Sequence, residues 1–182
     1  MNGVAARTVR LTMLREDLEK IPQFALSDGF ALRWYRPGDE LFWFDIHLAA
    51  DRFNQITSDL FEQQFGSDRK RLAERQCYLV APDGKKIGTA TAWFGNQPET
   101  KDLGRVHWVA LLPEYQGRGL SKPLLTAVCN RLSDLGHKSA FLSTSDQRKT
   151  AIRLYLRFGF KPWIRNEHEK IVWSQCLGEQ TI

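Results

Sequence analysis

Cysteine is scarce in this chain. Cys77, Cys129 and Cys176 are far apart and odd in number within 182 residues. No CxxC and no Cys/His spacing suited to zinc occurs, so the cysteines read as reduced thiols of a cytoplasmic chain, with no metal. Long apolar runs are also missing. Nothing approaches the ~18 apolar residues of a membrane span, and "MNGVAARTVRLTMLRED" lacks the continuous apolar core of a signal peptide. No membrane role is expected. Net charge is small: 26 Lys and Arg against 21 Asp and Glu leave a formal +5. That excess is scattered, so nucleic acid is not an expected partner, although an anionic small ligand is. Internal repeats and low-complexity tracts are absent. So is the Walker pattern GxxxxGK[ST], and GxGxxG fails because Lys122 stands where its third glycine belongs.

Against these absences, 42% of the residues are hydrophobic, with six Trp and eleven Phe, enough for one well-filled domain. Residues 1–29 are mixed: "LREDLEKI" suggests a helical turn and "PQFALSDG" an extended arm. "FALRWYRP" alternates and reads as a first strand. "GDELFWFDIHLAADRF" carries Leu41, Phe44, Ile46 and Leu48 at roughly helical spacing. "TSDLFEQQFG" predicts a short helix capped by Thr57 or Ser58 and ended by Gly66. Gln76–Ala81 and Lys86–Phe94, joined by "PDGK", predict a hairpin. "RVHWVALL" is apolar on both faces and hence central. A helix over Leu120–Leu135 closes at Gly136, "KSAFLSTS" is the next strand, and "RKTAIRLYLRF" a helix closed by Gly159. "FKPWIR" and "EKIVWSQC" read as a final strand pair. The order predicts an α/β fold with a mixed sheet and one parallel crossover between Arg105 and Ser143.

The chemistry concentrates in "LPEYQGRGLSKPLL". A glycine-rich turn between a strand and a helix leaves backbone N–H groups without helical partners, and the helix dipole adds positive potential. Gly117 and Gly119 remove Cβ atoms that would hold an anion off the backbone, while Arg118 and Lys122 add charge. Pro123 fits the first helical turn. By itself such a turn is either an ordinary connection or a phosphate cradle.

In context, "VALLPEYQGRGLSKPLLTAV" resembles the cofactor-binding motif of the GCN5-related N-acetyltransferase (GNAT) superfamily: Gln or Arg, two residues, Gly, one residue, then Gly or Ala. The matching residues are Gln116, Gly119 and Ser121, the serine departing from the usual Gly or Ala. "AIRLYLRFGF" resembles the family's later helix. The resemblance covers residues 76–165, and more loosely 30–175. It implies the GNAT fold, a mixed and mostly antiparallel sheet with one βαβ crossover, in a single domain over 30–176 between an extension (1–29) and a tail (177–182).

It also implies a function: direct transfer of an acetyl group from acetyl-coenzyme A (acetyl-CoA) to a primary amine of a small molecule or peptide. The amides of Gly117, Arg118, Gly119, Leu120, Ser121 and Lys122 would hold the diphosphate, and Val109, Ala110 and Leu111 the pantetheine arm. Tyr155 occupies the family's tyrosine position and would protonate the leaving thiolate; on periodicity alone it is a core aromatic. His107 stands where arylalkylamine-type members carry a histidine, and is the candidate base beside a water chain, Glu99 or Asp102. Arg148 replaces a frequent asparagine and either contacts cofactor phosphate or is solvated. His47 and Asp51, at i,i+4, read as a solvated pair, since no third metal ligand is apparent. Trp43, Phe44, Phe53 and Phe61 fall where the family binds its acceptor, as substrate wall or as core. A non-catalytic coenzyme A-binding or sensing domain is the alternative. The acceptor itself, and a homodimer through the terminal strands, stay open.

Overall fold

The computed structural model describes residues 8–178. Of the tail expected at 177–182, only Leu177 and Gly178 fall among them, and residues 1–7 of the extension lie outside. Among the described residues, seven strands form one sheet: β1 (Arg10–Arg15), β2 (Ala31–Trp34), β3 (Gln76–Val80), β4 (Lys86–Phe94), β5 (Gly104–Leu111), β6 (Ala140–Ser145) and β7 (Lys161–Pro162). Their order is β2-β3-β4-β5-β6-β1-β7. Every neighbouring pair is antiparallel except β5 and β6, which flank the crossover helix. The helices are α1 (Glu40–Ala50), α2 (Leu60–Phe65), α3 (Arg69–Arg75), α4 (Ser121–Asp134), α5 (Lys149–Arg157) and α6 (Glu167–Leu177).

The centre of the sheet follows directly from composition. Seven consecutive residues of β4, Ile87–Trp93, are buried, as expected of a strand covered on both faces. α4 covers one face with Leu124, Leu125, Val128, Cys129 and Leu132, a stripe at helical spacing. A Cβ added at Gly104 would meet Leu132 and His137, so that end of β5 turns its even positions toward α4. By alternation Arg105 and His107 face the opposite layer, where the Phe65 ring of α2 lies 5.6 Å from the His107 ring.

Several elements differ from the sequence reading. "LREDLEKI" forms no helix: its first residues end β1, which lies between β6 and β7 and buries Leu11 and Met13. "FALRWYRP" therefore supplies the second strand. "EKIVWSQC" is helical, not a strand. The Asn166 side chain accepts the Glu169 N–H at 2.9 Å and the Glu169 carboxylate accepts the Arg165 N–H, so the cap overrides the β-branched Ile171–Val172 pair. α3 was not foreseen; Asp68 caps it by accepting the Arg71 N–H at 3.0 Å. In α2 the N-cap is Asp59, without a side-chain cap bond, rather than Thr57 or Ser58. In α1 the buried face is Trp43, Ile46 and His47, while Leu41 and Leu48 are exposed. The cysteines are free, with Cys77 and Cys129 buried.

Candidate functional site

Two features of β5 build the site. The first is where its partner leaves. β5 pairs with β6 only at Gly104↔Ala140 and Arg105↔Phe141. Beyond Arg105 the two strands part, and the β6-facing backbone groups of β5 have no sheet partner. The second is a bulge. His107 pairs with Thr91 and Ala110 with Thr89, so Trp108 and Val109 oppose Ala90 alone. Trp108 takes φ +48°, unusual for a non-glycine residue. It is held there by a hydrogen bond from its Nε1–H to Gln64 at 2.9 Å and by the Trp43 ring at 5.1 Å.

The opening is a cleft of about 430 Å³. β5 contributes Arg105–Val109, β6 contributes Ser143–Ser145, and Arg148 and Tyr155 come from the start and middle of α5. α1 contributes His47, and the segment that follows it supplies Asp51 and Phe53. His107 is fully buried, and burial, then Arg105, His47 and Arg10, hold its imidazole well below the usual range. Burial raises the Tyr155 phenol to about 12, with Arg148 opposing and Cys129 assisting. The Tyr155 hydroxyl makes no hydrogen bond to a described residue.

His47 and Asp51 are not the solvated pair expected. Burial drives the His47 imidazole to about 3, and its ring packs 4.4 Å from Trp43 and 4.9 Å from Trp108. Asp51 accepts two hydrogen bonds from Arg148, at 2.8 and 2.9 Å, and others from Asn54 and the Phe53 N–H. Burial pushes that carboxyl up, but these bonds outweigh it and hold it low. Arg148 is ion-paired with Asp51, its guanidinium lies over Phe53 at 4.8 Å, and it lines a cleft whose lining does not include Gly117–Lys122. Trp43 and Phe61 are core, Phe53 lines the cleft, and Glu99 and Asp102 are exposed away from it. Among the described residues no group of three His, Cys, Asp or Glu could hold a metal.

The glycine turn follows the other end of β5. Gly117 and Gly119 take φ +74° and +79°, with nothing within 4 Å of an added Cβ. The amides of Gly117 to Ser121 have no hydrogen-bond acceptor among the described residues, and α4 has no side-chain N-cap. The Lys122 amide, expected to join them, is bonded to the Gly119 carbonyl at 3.1 Å. Gln116 reaches back to the Leu111 carbonyl at 2.9 Å and fixes the turn to β5. Arg118 and Lys122 have no ion-pair partner among the described residues, their cations resting near Tyr115 and Phe24. Five free amides around open space, beside two unpaired cations, suit a diphosphate.

Sequence reasoning missed Arg10, Arg105 and the Asp51–Arg148 pair. Their positions share no local spacing, so only the fold brings them together.

The family model "Acetyltransferase (GNAT) family" matches residues 33–160. A mycothiol acetyltransferase of Pseudarthrobacter chlorophenolicus is 30% identical over 160 residues, covering 85% of this chain and 49% of the relative. A mycothiol acetyltransferase of Actinosynnema mirum is 29% identical over 170 residues, covering 88% and 54%. The chain thus spans about half the length of these curated relatives. A GCN5-related N-acetyltransferase from Sphaerobacter thermophilus superposes with a TM-score of 0.70 at 25% identity, covering 86% of this chain and 49% of that one.

Proposed function

The chain belongs to the acetyltransferase (GNAT) family, and from that premise we propose that it transfers an acetyl group from acetyl-CoA directly to a primary amine of a small molecule or peptide. One observation carries this reading: the same strand, β5, leads into a turn of free amides and borders a cleft holding Tyr155 and His107. Acetyl-CoA supplies the activated acyl group as its thioester. The amides of Gly117–Ser121, with Arg118 and Lys122, would bind its diphosphate. Val109, Ala110 and Leu111 would pair with the pantetheine arm along the edge β6 leaves free.

In the transfer, the amine nitrogen forms a bond to the carbonyl carbon, the carbon–sulfur bond breaks, and the ammonium proton leaves to a base. His107 is neutral at pH 7 and so has a free nitrogen lone pair, but burial and the neighbouring charges weaken it as a base, so it would need that charge offset to accept the proton. Tyr155 is protonated and would act as a donor to the leaving sulfur.

Free-thiol release from acetyl-CoA across amines, amino acids and peptides tests the reading. Turnover with at least one amine is expected. Coenzyme A binding without turnover would instead favour the sensing domain. The cradle has its own test. Gly119→Ala imposes a left-handed conformation on an L-residue, at a cost of about 1–2 kcal/mol. It is expected to weaken coenzyme A binding roughly tenfold by isothermal titration calorimetry. An unchanged Kd would remove Gly119 from the cradle.

A further inference from the structure

We propose that the acceptor amine carries an oxyanion, a carboxylate or a phosphate, which Arg105 and Arg10 bind where β5 and β6 part; this rests on the acetyl-transfer reading above. Arg105 is half-buried in the cleft, yet its guanidinium makes no hydrogen bond and no ion pair among the described residues. Its Nε–H is sealed from solvent without a partner. Its nearest recorded interaction is the Phe141 ring, 5.6 Å away. A buried cation with unmet donors is costly to hold, and proteins ordinarily answer it with a carboxylate.

Among the described residues lining the cleft, no carboxylate is free to do so. Asp51, the acid lining the cleft, is taken by Arg148. Arg10 also lines the cleft without an acidic partner, and its guanidinium donates to the Ser143 hydroxyl at 3.2 Å. Arg10 sits in register opposite Ser145, whose Oγ is likewise buried and unpartnered. Two cations and an unused hydroxyl thus border one space. An oxyanion, which accepts several hydrogen bonds at once, suits the two arginines beside it.

The site also bears on the chemistry beside it. After burial itself, Arg105, His47 and Arg10 are what depress the His107 imidazole. An anion between the two arginines offsets part of that charge, so a charged acceptor would raise the basicity of the group proposed to take its proton.

Matched amines test the proposal: an α-amino acid against its decarboxylated counterpart, and O-phosphoethanolamine against ethanolamine, each by kcat/KM for thiol release. The anionic member of one pair is expected to be preferred by roughly 10- to 100-fold, and the pair showing it separates carboxylate from phosphate. Arg105→Met should collapse that ratio toward one, and Arg105→Lys should retain part of it. Equal rates within both pairs in the unmutated chain overturn the proposal, as does a preference that survives Arg105→Met. So does an Arg105-dependent preference for succinyl-CoA over acetyl-CoA, which would place the anion on the acyl group. Binding is read without turnover: N-acetylglycine or acetyl phosphoethanolamine should raise the melting temperature of the unmutated chain and not that of Arg105→Met. Absence of both shifts overturns the proposal. Absence of thiol release with every amine, the shift persisting, overturns the acetyl-transfer reading instead.

Discussion

Tyr155→Phe is expected to lower kcat by roughly 10²- to 10³-fold, the loss seen when one donor to a developing anion is removed. The ring keeps its place: Tyr155 shares the buried face of α5 with Ile152, and phenylalanine fills the same volume. The deleted hydroxyl has no hydrogen-bond partner among the described residues, so folding loses little and the melting temperature should move slightly. The chemistry loses more. Held at about 12, the phenol is protonated at neutral pH and acts only as a donor. A free thiol ionises near 8.5, so full proton transfer from the tyrosine to the leaving sulfur is uphill. Its proposed contribution is a hydrogen bond that would strengthen as charge grows on sulfur, an interaction made in the transition state and not in the ground state. Coenzyme A affinity should therefore stay put while kcat falls. Steady-state thiol release and calorimetry on the same variant check both halves. An unaltered kcat removes the donor role, and a parallel loss of affinity shows that the hydroxyl merely positions the cofactor.

What the sequence revealed tracks how local each determinant is. The glycine turn, β5 and α4 were legible because their signals lie within one contiguous stretch, Gly104 to Gly136: an apolar strand, Gly117 and Gly119, then the α4 stripe closed by Gly136. The β3–β4 hairpin was legible for the same reason. β1 and α6 were not. β1 is a strand because β6 and β7 lie on either side of it, and "EKIVWSQC" is helical because Asn166 and Glu169 tie its first turn, outweighing its β-branched pair. The cleft was legible in halves. His107 and Tyr155 were singled out through family resemblance, and the structure brings both to one cavity. The i,i+4 spacing of His47 and Asp51 was visible, but the meaning of Asp51 lay in Arg148, 97 positions away. Arg105 belongs to an apolar strand, where an arginine reads as an interruption. Only the separation of β5 from β6 shows that its charge is left unanswered.

Stability should fall steeply as the pH drops from 6.5 to 4.5, by on the order of 1.4 kcal/mol per pH unit for an imidazole whose protonation the fold strongly disfavours. His47 is one. Its ring lies buried between Trp43 and Trp108, and burial carries its pKa down to about 3 although a contact with the Trp108 backbone pulls it up. Asp51 pulls it upward, but that charge is already matched by Arg148, which pushes it down. His107 is the second, and His137, lowered by burial and by Arg75, adds in the same direction. The sign follows from proton counts. Between the folded and unfolded pKa values the unfolded chain binds a proton that the folded chain refuses, so the stabilisation is complete above about 6.5 and is lost as the pH falls below it. The carboxylates held low, Glu40, Asp51 and Glu169 among them, share this sign but act near and below ~4.5. The interval above that belongs to the histidines. His47 alone accounts for about 1.4 kcal/mol per pH unit over this range, a sizeable share of the roughly 5–15 kcal/mol that holds a domain folded. Urea unfolding at half-unit steps from pH 7.5 to 4.5 measures the slope directly. His47→Gln removes that titrating group and should reduce the slope by about 1.4 kcal/mol per pH unit, whatever it does to absolute stability. A folding free energy that stays flat between pH 7.5 and 5 would mean that these imidazoles protonate readily in the fold, and the dry environment assigned to His47 would be wrong.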